Sequence, residues 1–142
     1  MTSISMYKIE NTIAVGETTG TSFSKPIRGK IVAVKVLFSN TTPASTSDRD
    51  VNLWEMNPAD DDHTTDALQE LLDVGGIGAD PSADNAVYYP RVPAEDITGT
   101  DVTYDGTNEI YTPAIVFGRI MLAVTAAAAG DITTVYLMVE EF

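Results

Sequence analysis

The sequence contains no cysteine, a single histidine, one tryptophan and no long apolar run. Without cysteine, the chain has no disulfide framework, no thiolate metal site and no cysteine nucleophile. No segment is apolar over the length needed to span a bilayer, and the segment from Met1 to Lys8 lacks the basic and apolar regions of a secretory signal. We therefore expect no membrane partner, and a fold that is stabilised by packing or by association with other chains.

Basic side chains are also scarce, since 8 lysines and arginines stand against 21 acidic residues, giving a net charge of −13. Residues 1–40 hold five of the basic residues against two acids, whereas residues 41–142 hold three against nineteen. Because such a chain repels a polyanion, we expect no nucleic-acid partner. The acidic remainder fits a solvated surface, adaptation to high salt, or a complement to a basic partner, and composition does not distinguish these three.

The pattern along the chain is one of strands separated by turns, without alternation of strands and helices. It predicts an all-β fold, an antiparallel β-sandwich that is jelly-roll-like and has about eight strands. The segment 27–39 is the clearest strand, because Val32, Val34, Val36 and Phe38 share one face at a period of two.

One short helix is predicted, near residues 64–73. Leu68, Leu71 and Leu72 are spaced by three and four residues, as on one face of a helix. Gly75-Gly76 follows, and glycine is common just after the C-terminus of a helix. A helix of this length is marginal alone, so we expect it to pack on the sheet or to form a flap.

The second half of the chain predicts a polar strand at 97–104, a turn at Asp105-Gly106 and a closing hairpin. The hairpin consists of two β-rich runs, 114–125 and 132–140, around a turn of small residues at 126–131. Both runs are apolar on both faces. We therefore expect them to be a central pair of the sandwich, or to be covered by a neighbouring subunit.

No catalytic, cofactor or metal site is legible in the sequence. The run Asp60-Asp61-Asp62-His63 lacks the alternating ligands and the glycine of a calcium loop, so it reads as a solvated turn. The oxygen-rich patch around Gly106 is explained by its turn. His63 is the sole histidine, and the sequence has no G-x-S-x-G nucleophile motif. We therefore predict that the chain is not an enzyme and binds no cofactor.

The segment Tyr88-Tyr89-Pro90-Arg91 is the most distinctive short stretch. It reads either as an edge strand with one ring inward and one outward, or as a contact surface, since tyrosine and arginine are enriched in interface hot spots. Arg91 is nearly alone in an acidic half, so we expect it to have a carboxylate partner, within the chain or across an interface. The candidate interface residues are Lys25, Arg28, Lys30, Tyr88, Tyr89 and Arg91.

Three parts of the chain carry a resemblance to known proteins. They are residues 29–34, residues 87–91 with the polar segment 97–100, and the terminal runs 117–124 and 132–139. In these parts the chain resembles the small jelly-roll structural proteins of tailed bacteriophages and tailed archaeal viruses, which include capsid decoration (cementing) proteins and head accessory proteins.

The resemblance implies a non-enzymatic virion protein that is made in the host cytoplasm and lies on the capsid surface. It implies binding between major capsid proteins, which stabilises the shell, and a homo-oligomer, with a trimer favoured. Residues 1–24 would then be an N-terminal arm and first strand involved in docking, and residues 25–142 the sandwich, in one domain overall. The alternative is a carbohydrate- or receptor-binding jelly-roll module of a viral spike or tail, with Tyr88, Tyr89, Tyr104 and Tyr111 available for contact.

Overall fold

In the computed structural model, which describes residues 3–40, 49–57, 67–77 and 86–142, most of the chain lies in strands. Burial alternates residue by residue along the longer strands, because successive side chains point to opposite faces of a sheet. In the last strand, Val135, Leu137 and Val139 are fully buried and the residues between them are partly exposed. The predicted all-β fold is confirmed.

The described residues form eleven strands rather than about eight, because three further short strands, at 91–93, 111–113 and 115–118, accompany the other eight. The strands are β1 (Ser3–Thr12), β2 (Gly20–Phe23), β3 (Ile27–Asn40), β4 (Arg49–Met56), β5 (Ala67–Ile77), β6 (Ala86–Tyr88), β7 (Arg91–Pro93), β8 (Tyr111–Pro113), β9 (Ile115–Gly118), β10 (Ile120–Thr125) and β11 (Asp131–Glu141).

Two antiparallel sheets form the sandwich. The first has the order β1-β11-β3-β6, with β9 also paired to β3, and the second has the order β2-β10-β4-β5. The pairs β1 with β11, β2 with β10, β3 with β6, and β4 with β5 are those of one long antiparallel ribbon wrapped around a barrel. This is the jelly-roll arrangement, which gives two sheets that pack face to face around one core. Strands β7 and β8 form a separate two-stranded ladder.

The predicted terminal hairpin is wrong. Strand β10 pairs with β2 and β4 in the second sheet, whereas β11 pairs with β1 and β3 in the first. The small residues between them carry the chain across the sandwich: Ala127 donates its amide hydrogen to the Thr18 carbonyl, and Gly130 donates to that of Ile13. Both runs are apolar because each strand is central in its own sheet, so the expected central position is found without the expected pairing.

The predicted helix is wrong as well, because residues 67–73 belong to β5, which pairs antiparallel with β4; residues 64–66 lie outside the described residues. The spacing of the leucines, which resembles that of a helix, results from an irregularity in the pairing of β5 with β4. Leu72 lies opposite Leu53 and Glu70 opposite Trp54, so Leu71 is an extra residue at that step. Gly75 lies within the strand, where a Cβ would be 2.9 Å from the Asp50 carboxylate, so it permits a close approach instead of ending a helix.

One other sequence-based expectation is corrected by the pairing. The segment 97–104 is not a strand; it has turns and two isolated bridges, Glu95 to Asp101 and Thr103 to Glu109. Within residues 3–24, β1 lies in the first sheet and β2 in the second, and Ile9 is part of the core. A chain that began at residue 25 would lack one strand of each sheet.

A buried ion pair joins the two sheets. Arg49 in β4 is fully buried, and its Nη2 atom lies 3.6 Å from Oδ1 of Asp131 at the start of β11. Its Nη1 atom donates to the Ile132 carbonyl at 3.0 Å, and the guanidinium lies 5.3 Å from the ring centre of Phe38 in β3. Burial lowers the pKa of Arg49, and the negative charge of Asp131 opposes this shift.

We expect Arg49→Met to destabilise the fold by about 3–5 kcal/mol, because it leaves Asp131 buried without its cation. Lys8→Met is the control: Lys8 pairs with Glu10 at 3.4 Å on the surface, where a salt bridge contributes less than about 1 kcal/mol. The measurement is the free energy of unfolding in urea. Equal, small losses for the two variants would contradict the structural role of the buried pair.

Candidate functional site

The outer face of the first sheet combines apolar side chains with lysines. In the ladder register, Lys8, Tyr136, Lys35 and Val87 lie in one row across β1, β11, β3 and β6. The adjacent row contains Met6, Met138 and Ala33. Most of these side chains line a groove of about 340 Å³, which we call the sheet groove. It is lined by Met6, Ala33, Lys35, Leu37, Val87, Tyr136 and Met138.

A β-bulge in β3 decides which side chains reach this face. Val139 lies opposite Ile31 and Met138 opposite Ala33, so Val32 is an extra residue between them. The period of two predicted that Val32 shares a face with Val34 and Val36, but Val32 is partly exposed and Ile31 is fully buried with them. An extra residue shifts the alternation by one position. Lys30 and Lys35, an odd number of residues apart, therefore share the outer face.

An exposed aromatic cluster lies at the end of this sheet where β3 begins and β11 ends. The Cζ atom of Arg28 lies 5.8 Å from the ring centre of Phe117, and the rings of Phe117 and Phe142 are 6.0 Å apart. Phe117 is 47% exposed, Phe142 65% and the neighbouring Ile115 49%. We call Arg28, Ile115, Phe117 and Phe142 the aromatic cluster.

Bonds between the sheets fix the position of Phe117. Its amide nitrogen donates to Oε1 of Glu55 in β4 at 2.8 Å, and the other oxygen of this buried carboxylate accepts a hydrogen bond from Gln69. Further along both segments, the backbone amide of Met56 donates a hydrogen bond to the carbonyl of Arg119 at 2.9 Å. The backbone that carries Phe117 of the aromatic cluster is therefore hydrogen-bonded to residues of both sheets.

Most of the exposed basic residues gather at this face. Lys8, Arg28, Lys30 and Lys35 project from it, and Lys25 lies beside Lys8 in a neighbouring groove. Lys30 pairs with Glu140 at 3.0 Å. The structure thus brings together three predicted interface residues, Lys25, Arg28 and Lys30. It adds Lys8 and Lys35, which lie in one row with Tyr136, and the bulge places Lys30 on the same face as Lys35.

The other predicted interface residues divide between the core and the surface. Tyr88 packs against the core, and Tyr89 is 64% exposed, so one ring points inward and one outward as an edge strand requires. Nη1 of Arg91 donates to the Pro90 carbonyl at 2.9 Å. Within the described part of the chain Arg91 forms no ion pair, and the expected carboxylate partner is not found there.

The segment between β7 and β8 forms an acidic excursion, residues 94–110, closed by a bond of 2.7 Å from the Ala94 amide to the Ile110 carbonyl. Its turns are built on two aspartates. Oδ1 of Asp96 accepts from the Thr98 amide at 2.8 Å, and Oδ1 of Asp105 accepts from the Asn108 amide at 2.6 Å. The predicted turn at Asp105-Gly106 is confirmed, with Gly106 at a φ of +83° that favours glycine.

Hydrogen bonds to the carboxylates shift two pKa values in this excursion. The pKa of Asp96 is lowered mainly by the Thr98 side chain, and that of Asp105 mainly by the Asn108 backbone amide. Tyr104 and Tyr111 are exposed beside them, by 71% and 57%. The Tyr111 hydroxyl donates to Glu109 at 2.8 Å, and this bond raises the pKa of Tyr111.

Metal sites, membrane spans and relatives among known proteins can be considered together. Among the described residues, no group of three or more histidine, cysteine or acidic side chains could hold a metal ion; the run 60–63 lies outside them. Within the same residues, no helix has the length and apolar character that crossing a membrane requires. Models of protein families give no match to the sequence, and no curated protein matches it.

We expect the Asp96 and Asp105 carboxyls to titrate below 3.8, the ordinary value for aspartate. Because folding lowers these pKa values, the turn bonds are present above the unfolded pKa and are lost as pH falls through the folded one. Carbon-13 NMR of the side-chain carboxyls measures the midpoints, with an unfolded peptide of residues 94–110 as the control. Identical midpoints in protein and peptide would show that the carboxylates accept no bonds in solution.

Proposed function

We propose that this protein is a non-enzymatic structural protein of a virion, and that it decorates the capsid by docking on the major capsid protein through the aromatic cluster. The sequence resemblance supplies the virion role, and the jelly-roll arrangement of the strands is consistent with it. The observation that carries the docking surface is the exposure of Phe117, Phe142 and Ile115 beside Arg28.

The chemistry of the cluster is that of a contact surface. Large rings with an arginine are typical of interface hot spots, and burying one such side chain contributes about 1.5–3 kcal/mol. Lys30 lies opposite Ile115 in the ladder, and the exposed Lys25 lies two residues before β3. These cations favour an acidic partner surface.

The net charge of the chain determines how it would approach such a partner. Because the net charge is −13, most of the surface repels an acidic capsid. The cationic end of the first sheet is therefore the side that can approach it. One modest contact is sufficient for decoration, because copies that associate as a homo-oligomer, with a trimer favoured from the resemblance, bind a repeated lattice through several contacts at once.

We expect Phe117→Ser and Arg28→Glu each to weaken co-sedimentation with virus particles stripped of this protein by about tenfold or more, the usual effect of losing a hot-spot side chain. Tyr89→Ser and Arg91→Glu are matched controls, since both residues are exposed and outside the cluster. Circular dichroism checks that each variant is folded. If the controls weaken binding as much as the cluster variants, the docking surface is misplaced.

The virion role itself is tested by cryo-electron microscopy of purified particles from the source. Decoration predicts density for the sandwich on the capsid exterior, at a copy number set by the capsid symmetry. Particles without this protein, or with it confined to the tail, would contradict capsid decoration.

A second candidate function is carbohydrate binding at the acidic excursion. Tyr104 and Tyr111 are exposed next to carboxylates, with Glu109 and Asp101 close to the Tyr111 hydroxyl. Aromatic faces that stack on sugar rings, with carboxylates that accept hydroxyl bonds, suit this ligand. Binding to a glycan array that is lost in Tyr104→Ala and Tyr111→Ala, while these two variants still bind particles, would assign each function to its own surface.

A further inference from the structure

We propose that copies of this chain associate head to tail, with the sheet groove of one copy packed against the outer face of the second sheet of the next. This contact uses neither the aromatic cluster nor the acidic excursion. It therefore does not rest on the proposed capsid role, and it would hold for a virion protein or for a sugar-binding module.

The first side of the contact is the sheet groove. Its floor is apolar, with Met6 and Val87 63% and 49% exposed. Lys35 stands in this floor and Lys8 at its edge, one on each side of Tyr136. Lys8 pairs with Glu10, whereas among the described residues Lys35 has no carboxylate at ion-pairing distance. The groove therefore presents an apolar surface with a cation in it.

The second side is the outer face of the second sheet, which has the complementary composition. One row across β2, β10, β4 and β5 contains Phe23, Met121, Trp54 and Glu70. The next row ends at Asp73, opposite Asn52. Phe23, Met121 and Trp54 are partly exposed, and Glu70 and Asp73 are exposed. We call Phe23, Trp54, Glu70, Asp73 and Met121 the acidic face.

The two faces differ in the sign of their charges. In β2, β4, β5 and β10 the one basic residue is Arg49, which is fully buried and paired with Asp131. The strands of the second sheet therefore present carboxylates and apolar groups to their outer side, without an exposed cation. Contact removes the apolar side chains of both faces from water, which favours association. The opposite charges determine how the two faces align.

Charge also decides which faces meet. If the sheet grooves of two copies met, their lysines would repel each other. If two acidic faces met, their carboxylates would do the same. Groove against acidic face places Lys35 near Glu70 and Asp73 of the neighbour. Because the two faces lie on opposite sides of the sandwich, each copy can use both, and the contact is heterologous, as in a ring or a filament.

Sedimentation velocity of the full chain over a range of concentrations, at one fixed ionic strength, tests the proposal. We expect the wild type to associate, and Lys35→Glu and Asp73→Lys each to weaken association by about tenfold, since each reverses one charge of a close pair. The matched controls are Arg91→Glu and Glu17→Lys, which change the net charge equally at exposed positions off both faces. We expect these controls to associate as the wild type does.

Mixing the two face variants separates this contact from the alternatives. If the contact is heterologous, the carboxylate introduced at position 35 of one variant meets the ammonium group introduced at position 73 of the other. An equal mixture should then associate where each variant alone does not. If Lys35→Glu weakens association and Asp73→Lys does not, the acidic face is not the partner and the proposal fails. A wild type that stays monomeric at every concentration overturns it too, and leaves the groove to a different partner.

Zero-length carbodiimide cross-linking supplies an independent readout. Links from Lys8 or Lys35 to Glu70 or Asp73 can form between copies and not within one, because the outer faces point away from each other. Mass spectrometry of a mixture of nitrogen-14 and nitrogen-15 protein should show these links as mixed-isotope pairs. Links confined to lysine with Glu10 or Glu140, which already lie beside Lys8 and Lys30, would contradict the head-to-tail contact.

Discussion

The buried pair of Arg49 and Asp131 is the constraint on which the other features depend. A buried guanidinium must be paired, because an uncompensated charge in the interior is very costly. Arg49 comes from the second sheet, and the oxygens around it come from β11 and β3 of the first. Asp131 also accepts a bond from the Ala128 amide at 2.9 Å, so the pair fixes the point at which the chain leaves one sheet for the other. That crossing sets the register of β11 and, through it, the two outer faces.

The fold class was predictable because it depends on local alternation, whereas strand partners were not, because they depend on distant residues. Ile120, Leu122 and Val124 alternate as a buried strand should, and they do so whether their partner is β11 or β4. The compact run of alanines suggested a tight turn between paired strands, but Ala127 and Gly130 bond to the β1–β2 loop instead. The helix over 64–73 was suggested by leucine spacing that bulged pairing in β5 reproduces.

The candidate surfaces were predictable in part for the same reason. Lys25, Arg28 and Lys30 are close in sequence, so their common location could be predicted from β3 and the residues just before it. Phe117 and Phe142 were missed, because they meet only through the pairing of β9 with β3 and the return of β11 to the same end. A single inserted residue at Val32 reverses the side assigned to every residue before it in β3, and no sequence signal marks a bulge that a partner strand defines.

The place of β11 in the first sheet has a consequence for the order of events in the cell. It lies between β1 and β3, and Ser3 lies opposite Glu141, so a strand that is made late separates two that are made early. Until residues 131–141 leave the ribosome, the first sheet lacks its centre and the nascent chain exposes the apolar edges of its neighbours. The first sheet therefore cannot be completed until β11 has been made, and the nascent chain is most prone to aggregation while its surfaces are still unformed.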